Sequence, residues 1–207
     1  MEPNNPLLKR AYELSGDPEE IRRLYADWAD AYDRDTLEGM GYVAPAIAAD
    51  VLAKSLCDSD RVLDAGCGTG LVGQELAKRT DADLHGIDLS ADMLDAAAKK
   101  DVYSTLREAD LTRPLEIADN SFDGVISVGV FTSGHVRPDA LAELARVAKP
   151  GAPVVVTVHE NVWDKDAYAS QIEAMKAAEH IRACAITTAP YHDKENYSCK
   201  LCVMEAA

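Results

Sequence analysis

The spacing of apolar positions changes several times along the chain, and each change marks an element. Ile21, Leu24, Tyr25, Trp28 and Tyr32 fall on one face of a helix. Asp17-Pro18-Glu19-Glu20 ahead of them supplies an N-cap, a first-turn proline and two acids at the positive end of the helix dipole. A helix is therefore predicted over residues 18–33, and a second helical run over about 43–56.

From Arg61 short apolar runs alternate with helical ones. RVLDA, DLHGID, STLREA, FDGVISV and PVVVTV read as strands, while LVGQELAKR, a run from Ser90, and DALAELARVAK read as the helices between them. Such alternation predicts a parallel sheet covered on both faces, with ligands beyond the carboxyl ends of its strands. A helix over 163–180 and two further strands, IRACAITTA and YSCKLCVM, follow, joined by a polar loop at 190–195. Paired as a hairpin, these strands give the sheet an antiparallel edge.

Composition narrows the partners more than the fold. A chain of 207 residues, 47% hydrophobic, suffices for one continuous core. It has no run of the ~18 apolar residues a membrane span needs, and MEPNNPLLKR resembles neither a signal nor a transit peptide, so a cytoplasmic protein is expected. With 36 acidic against 21 basic residues, the net charge of −15 repels phosphate backbones and anionic lipid. Neither nucleic acid nor a membrane is an expected partner. The five cysteines are scattered and expected to be reduced; Cys199 and Cys202, three apart in a strand, point to opposite faces, and no metal site is expected.

The chemistry concentrates where the first strand turns into a helix. In Asp64-Ala65-Gly66-Cys67-Gly68-Thr69-Gly70, three glycines let a ligand approach the backbone and the helix N-terminus closely. Residues 68–73 also match GxGxxG, which keeps an NAD-dependent oxidoreductase in play. Asp64 weighs against it, because a carboxylate there repels a pyrophosphate but attracts a sulfonium or ammonium. Asp88, at the end of the second strand, stands at the ~20-residue interval from which an acid accepts hydrogen bonds from a ribose diol. Asp110 follows the third strand, where its carboxylate could accept from an adenine amino group. Leu89, Met93 and Leu111 would enclose that ring, or serve as ordinary core. The combination favours a cationic nucleoside without phosphates, such as S-adenosylmethionine.

LDAGCGTG, GIDLS with Met93, EADL and FDGVISVGV together resemble the successive cofactor motifs of the class I methyltransferases, over residues 25–158. YADWADAYD with VGVFTSGHV is more closely similar to the Williams–Beuren-region methyltransferase-like family. The resemblance implies that Tyr25, Trp28 and Tyr32 form a lid over the cofactor, and that Gly66, Asp88, Asp110 and Val128, Gly129 and Val130 line its cleft. The same aromatic stripe is also what a core-facing helix presents.

The expected fold class is α/β: a Rossmann-like, seven-stranded, mostly parallel sheet with helices on both faces and N-terminal lid helices. Residues 1–16 are expected to be disordered and 17–207 to form one methyltransferase domain. Within it, 17–58 would be the helical lid, 59–160 the cofactor-binding core and 161–207 the C-terminal helix and hairpin.

Two histidines suit a general base. His135 follows the fourth strand and His159 the fifth, both at the carboxyl edge; a loop hydrogen bond is the alternative role for each. His85, His180 and His192 fall in a strand, at a helix end and in the polar loop. The expected reaction is methyl transfer from S-adenosylmethionine to a nucleophilic atom of a small molecule, releasing S-adenosylhomocysteine. The alternatives are a protein or RNA methyltransferase of the same fold, an NAD-dependent oxidoreductase, and a non-catalytic cofactor-binding protein.

Overall fold

A computed structural model describes residues 6–207. Helices α1 (Pro6–Tyr12) and α2 (Pro18–Asp33), a π-helical segment (Arg34–Met40) and α3 (Ala44–Ala53) precede the sheet. Strand β1 (Arg61–Ala65), α4 (Leu71–Leu76), β2 (Asp83–Asp88), α5 (Ala91–Ala98), β3 (Thr105–Glu108), β4 (Gly124–Phe131), α6 (Ala140–Val147) and β5 (Pro153–His159) then alternate. Helices α7 (Glu160–Trp163) and α8 (Tyr168–Ala177) lead into the hairpin β6 (Ile181–His192) and β7 (Tyr197–Ala206).

The seven strands form one sheet in the order β3-β2-β1-β4-β5-β7-β6. β1 to β5 pair in parallel, and β7 runs antiparallel between β5 and β6. The chain steps outward from β1 through β2 to β3, then returns to lay β4 on the other side of β1. That reversal opens a crevice above the carboxyl ends of β1 and β4.

Alternating strand positions feed two cores. Leu63, Val125, Val154, Val156 and Met204 meet α6 and α8 on one face, where Leu141, Leu144, Tyr168 and Ile172 are buried. Val62, Ile126, Val155 and Leu201 meet α3 and α4 on the other, against Ala48, Leu52 and Leu76. Cys199 and Cys202 sit in opposite cores, as their spacing in a strand requires. A third cluster, Leu8, Ala11, Leu24, Trp28 and Met40, joins α1, α2 and the π-helical segment above the sheet.

Helix α2 spans the predicted residues, with Asp17 accepting from the Glu19 N–H and Pro18 in the first turn. Three expectations need correction. Residues 6–12, expected to be disordered, form α1, because Leu8 and Ala11 give it a buried face against α2; the expectation for residues 1–5 lies outside the described residues. The helix over 163–180 is shorter: Trp163 ends α7, residues 164–167 turn, with Ala167 left-handed at a φ of 56°, and α8 covers only Tyr168–Ala177. The polar loop over 190–195 is shorter, since β6 continues through Pro190 to a buried His192. Strand β6 is the outer edge of the sheet, where a residue without an N–H is tolerated.

Candidate functional site

Every wall of the crevice comes from the end of a strand or from the lid helix. After β1, Gly66 and Cys67 donate their N–H groups to the Ile87 carbonyl at 2.8 and 2.9 Å, which folds the glycine loop against β2. Gly66 has a φ of 78°, and a Cβ there would lie 2.2 Å from Val130 Cγ2, so only glycine lets the loop and the end of β4 meet. A Cβ on Gly68, at φ 53°, would meet no atom within 4 Å, so the loop opens onto unfilled space there.

Asp88 borders that space. Its Oδ2 accepts from the Gly68 N–H at 2.8 Å and its Oδ1 from the Ser90 N–H at 2.9 Å. Burial raises its pKa, and these backbone donors oppose the rise. A carboxylate has about four acceptor sites, so two remain for a ligand diol. Asp110 is more committed: Oδ1 accepts from the Thr112 N–H and hydroxyl at 2.8 and 2.6 Å, and Oδ2 faces Arg113 at 3.4 Å.

Asp64 lies beneath the loop, buried, outside the crevice wall. Tyr103 donates to its Oδ2 at 2.6 Å, while Oδ1 has no hydrogen-bond partner among the described residues. Burial pushes its carboxyl up to about 7, against the lowering by Tyr103. Gly73 is the last glycine of GxGxxG, and its Cβ would fall 2.3 Å from the Tyr103 hydroxyl. That glycine serves Tyr103 rather than a pyrophosphate.

Helix α2 closes the crevice through three polar ties. Arg22 Nε donates to the Leu89 carbonyl at 3.2 Å, and its guanidinium meets Glu108 at 3.3 Å. Asp33 takes the Thr69 hydroxyl and the Lys100 ammonium, both at 2.5 Å. Between them, the Tyr25 hydroxyl and His135 Nε2 are 2.8 Å apart, while His135 Nδ1 lies 2.7 Å from the Ser133 carbonyl. A carbonyl only accepts, so Nδ1 carries the proton and Nε2 accepts from Tyr25. Burial lowers the pKa of His135, which favours this neutral ring.

With the lid in place the crevice has a cavity volume of about 100 Å³. Of the predicted residues, Tyr25, Tyr32, Gly66, Gly68 and Asp88 line it, with Leu89, Met93, Asp110 and Leu111 at one end and Val128, Gly129, Val130 and His135 at the other. The structure does not bring Trp28, Cys67, Thr69, Gly70 or His159 into that wall. Trp28 is buried in the lid cluster and donates to Asp35 at 3.2 Å. Cys67 is buried, its Sγ 3.0 Å from where a Gly86 Cβ would stand. Thr69 is held by Asp33, and Gly70 caps α4. His159 is buried as the N-cap of α7, its Nδ1 accepting from the Asn161 N–H at 3.2 Å; burial lowers it to about 4.

Sequence reasoning missed Ile21, Ser90 and Thr112 in the wall. Ile21 stands one helical turn before Tyr25, and Ser90 and Thr112 each follow a site aspartate by two residues, so a signal existed. The ties through Arg22, Asp33 and Lys100 left none, since charged residues on a helix ordinarily face water.

A family model described as a methyltransferase domain matches residues 62–151. Methyltransferase-like protein 27 of Homo sapiens is 38% identical over 152 residues, 70% of this chain and 61% of that protein. The ubiquinone/menaquinone biosynthesis C-methyltransferase UbiE of Bdellovibrio bacteriovorus is 34% identical, over 69% of this chain and 63% of its own. The chain thus spans about three fifths of the length of these curated relatives. In fold it resembles a Haemonchus contortus phosphoethanolamine N-methyltransferase solved with S-adenosylhomocysteine, with a TM-score of 0.67 and 16% identity, covering 92% of this chain and 59% of that one. A glycine loop open at Gly68, a carboxylate facing it from β2 and a parallel sheet reversed at β1 stand within the matched methyltransferase domain, and the chain is similar to the class I S-adenosylmethionine-dependent methyltransferases.

Proposed function

We propose that this chain transfers a methyl group from S-adenosylmethionine to a nucleophilic atom of a small molecule, releasing S-adenosylhomocysteine. The observation that carries the reading is the lidded crevice with Asp88 set against the open backbone at Gly68. Asp88 would hold the ribose hydroxyls, with Leu89, Met93 and Leu111 around the base. Asp64, with one oxygen unpartnered among the described residues, favours a cationic ligand over a pyrophosphate. When bound, the cofactor supplies an electrophilic methyl group, whose carbon–sulfur bond breaks with the electron pair left on sulfur as the acceptor atom bonds to carbon.

The chain's own contribution is enclosure and alignment, which suffice for much of such a displacement. Arg22, Tyr25 and Asp33 hold α2 down over the crevice and exclude water. A folded peptide or an RNA loop has little room beneath a lid tied at three points, and the surface charge of −15 disfavours RNA. Among the described residues no helix is long and apolar enough to cross a membrane, and cytoplasmic placement with a small-molecule partner is part of the same reading. Incubation with methyl-labelled cofactor and a fractionated metabolite extract tests it. Label should enter a small product in step with S-adenosylhomocysteine release. Nicotinamide absorbance change with turnover, or cofactor binding with no transfer to any fraction, would favour the oxidoreductase or the non-catalytic reading.

A further inference from the structure

Tyr103 stands outside the crevice wall, yet three glycines make room for its ring. Asp101, left-handed at a φ of 54°, turns the chain out of α5, and the Ser104 N–H donates to the Leu84 carbonyl at 2.8 Å. That path sets the Tyr103 ring between the glycine loop, α4 and β2. A Cβ on Gly70 in the loop would stand 3.1 Å from its Cε2, and one on Gly86 in β2 would stand 3.3 Å from its Cδ1. A Cβ on Gly73 in α4 would stand 2.3 Å from both Cζ and the hydroxyl oxygen, closer than any side chain tolerates. The last two glycines of GxGxxG therefore border Tyr103.

The hydroxyl stands in a chain of two hydrogen bonds. It accepts from the Gly73 N–H at 3.1 Å and donates to Asp64 Oδ2 at 2.6 Å. With the N–H directed at the phenolic oxygen, the single O–H proton is left for the carboxylate, and burial keeps the phenol protonated. Burial pushes Asp64 up to about 7, and the bond from Tyr103 opposes that rise, because a donor favours the charged form of a carboxylate. The other ionisable groups around the pair bring no free positive charge. Asp88 raises Asp64 further, and the Cys67 thiol, raised by burial and by both carboxylates, stays neutral. Lys100, three residues before Tyr103, is paired with Asp33 of the lid. Tyr103 is thus the side chain that holds charge on Asp64.

We propose that Tyr103 is a positioning residue for the cofactor: through its hydrogen bond it holds the Asp64 carboxylate as the negative charge that attracts the ammonium end of S-adenosylmethionine. The proposal rests on the methyl-transfer reading. Tyr103 does not touch the cofactor and acts through Asp64. That residue stands two positions before Gly66, which lines the crevice, and a buried charge is screened far less than one in water. Protonation of Asp64 removes the charge, so affinity for a ligand that carries the ammonium falls as pH drops through about 7. Without the hydroxyl, Asp64 gains its proton at higher pH, and the fall in affinity moves with it.

Calorimetric titrations between pH 5.5 and 8.5 test this with two ligands. S-adenosylhomocysteine keeps the ammonium, whereas methylthioadenosine has the same nucleoside and thioether without the amino acid, so it controls for protonation of Asp88. Tyr103→Phe should weaken S-adenosylhomocysteine at least threefold at pH 7 and less than twofold at pH 8.5, with methylthioadenosine within twofold of the parent throughout. Gly73→Ala displaces the hydroxyl while keeping the phenol, and should move the pH profile for S-adenosylhomocysteine in the same direction. In an Asp64→Asn background, Tyr103→Phe should weaken S-adenosylhomocysteine by less than a further twofold, because its route of action is gone. A loss in Tyr103→Phe that is equal for the two ligands, or the same at every pH, is what loop packing alone would give and overturns the proposal. So does a full further loss in the Asp64→Asn background. A parent chain that binds no S-adenosylhomocysteine overturns the methyl-transfer reading and this proposal with it, whereas binding with no pH dependence beyond that of methylthioadenosine overturns the proposal alone.

Discussion

Asp64 illustrates how one buried atom couples stability to pH. Its carboxyl, pushed up to about 7, compares with 3.8 in an unfolded chain. Between those values the folded chain holds a proton that the unfolded chain has lost, so this contribution to stability falls as pH rises from about 4 to 7 and then levels off. Three pH units correspond to about 4 kcal/mol, an order-of-magnitude figure. Urea unfolding at pH 5 and pH 8 should therefore show a smaller decline in Asp64→Asn than in the parent, and equal declines would show that Asp64 is ionised throughout. At Asp88 the ligand role and the structural role share atoms, since its oxygens already serve Gly68 and Ser90. Asp88→Ala should weaken S-adenosylhomocysteine by about 1.5–3 kcal/mol and also lower stability, whereas Asp88→Asn keeps an acceptor and separates the two. Calorimetry beside thermal unfolding gives both readings; full affinity in folded Asp88→Ala would remove it from the ribose site.

At the scale of elements, the lid's hold depends on a few ties over an apolar base. Asp33 secures the end of α2 to Thr69 and Lys100, and these partners come from the glycine loop and the end of α5. Its side chain is 38% exposed, so the ion pair is worth at most about 1 kcal/mol after screening. Asp33→Ala should leave global stability nearly unchanged, yet speed amide exchange across residues 18–33 and raise the cofactor off-rate by several-fold. Unchanged exchange would mean that the Leu24 and Trp28 packing alone sets the closed position. This also marks where the sequence was legible. The elements from β1 to β5 follow from hydrophobic period and caps, and Asp17-Pro18 fixed the start of α2. The break at Ala167 was hidden, because a good helix former occupies a left-handed turn and no glycine or proline signals it. Strand β6 running through Pro190 was hidden for another reason: only its place at the sheet edge makes a proline acceptable there. The packing of Tyr42 against Tyr191 was least legible, since the two rings meet only after the hairpin folds back; Gly41 accepts from the Asp193 N–H at 2.9 Å, and Val43 donates to the Tyr191 carbonyl at 3.1 Å.

For the whole molecule, the central distinction is between a cationic nucleoside and a dinucleotide, because both suit a glycine loop on a parallel sheet. Three features favour the first: the buried carboxylate of Asp64 under the loop, the Tyr103 hydroxyl filling the space that Gly73 leaves, and a net charge of −15. A ligand that binds only the native chain raises stability by about 2.7 kcal/mol at a concentration one hundred times its dissociation constant. In a chain of this size, each kcal/mol shifts the unfolding midpoint by roughly 2–4 °C. Saturating S-adenosylmethionine or S-adenosylhomocysteine should therefore raise the midpoint by about 5–10 °C, whereas NAD at the same concentration should shift it by less than about 1 °C. At pH 8, where the Asp64 carboxyl has lost its proton, Asp64→Asn should narrow the gap by admitting NAD more readily, since the variant removes the charge and keeps the hydrogen bond from Tyr103. Equal shifts with NAD in the parent chain would show that the loop tolerates a pyrophosphate and that Asp64 does not select the cofactor. A gap that is wide in the parent and unchanged in Asp64→Asn would instead assign the selection to the space taken by Tyr103, and Tyr103→Ala would then be the variant that admits NAD.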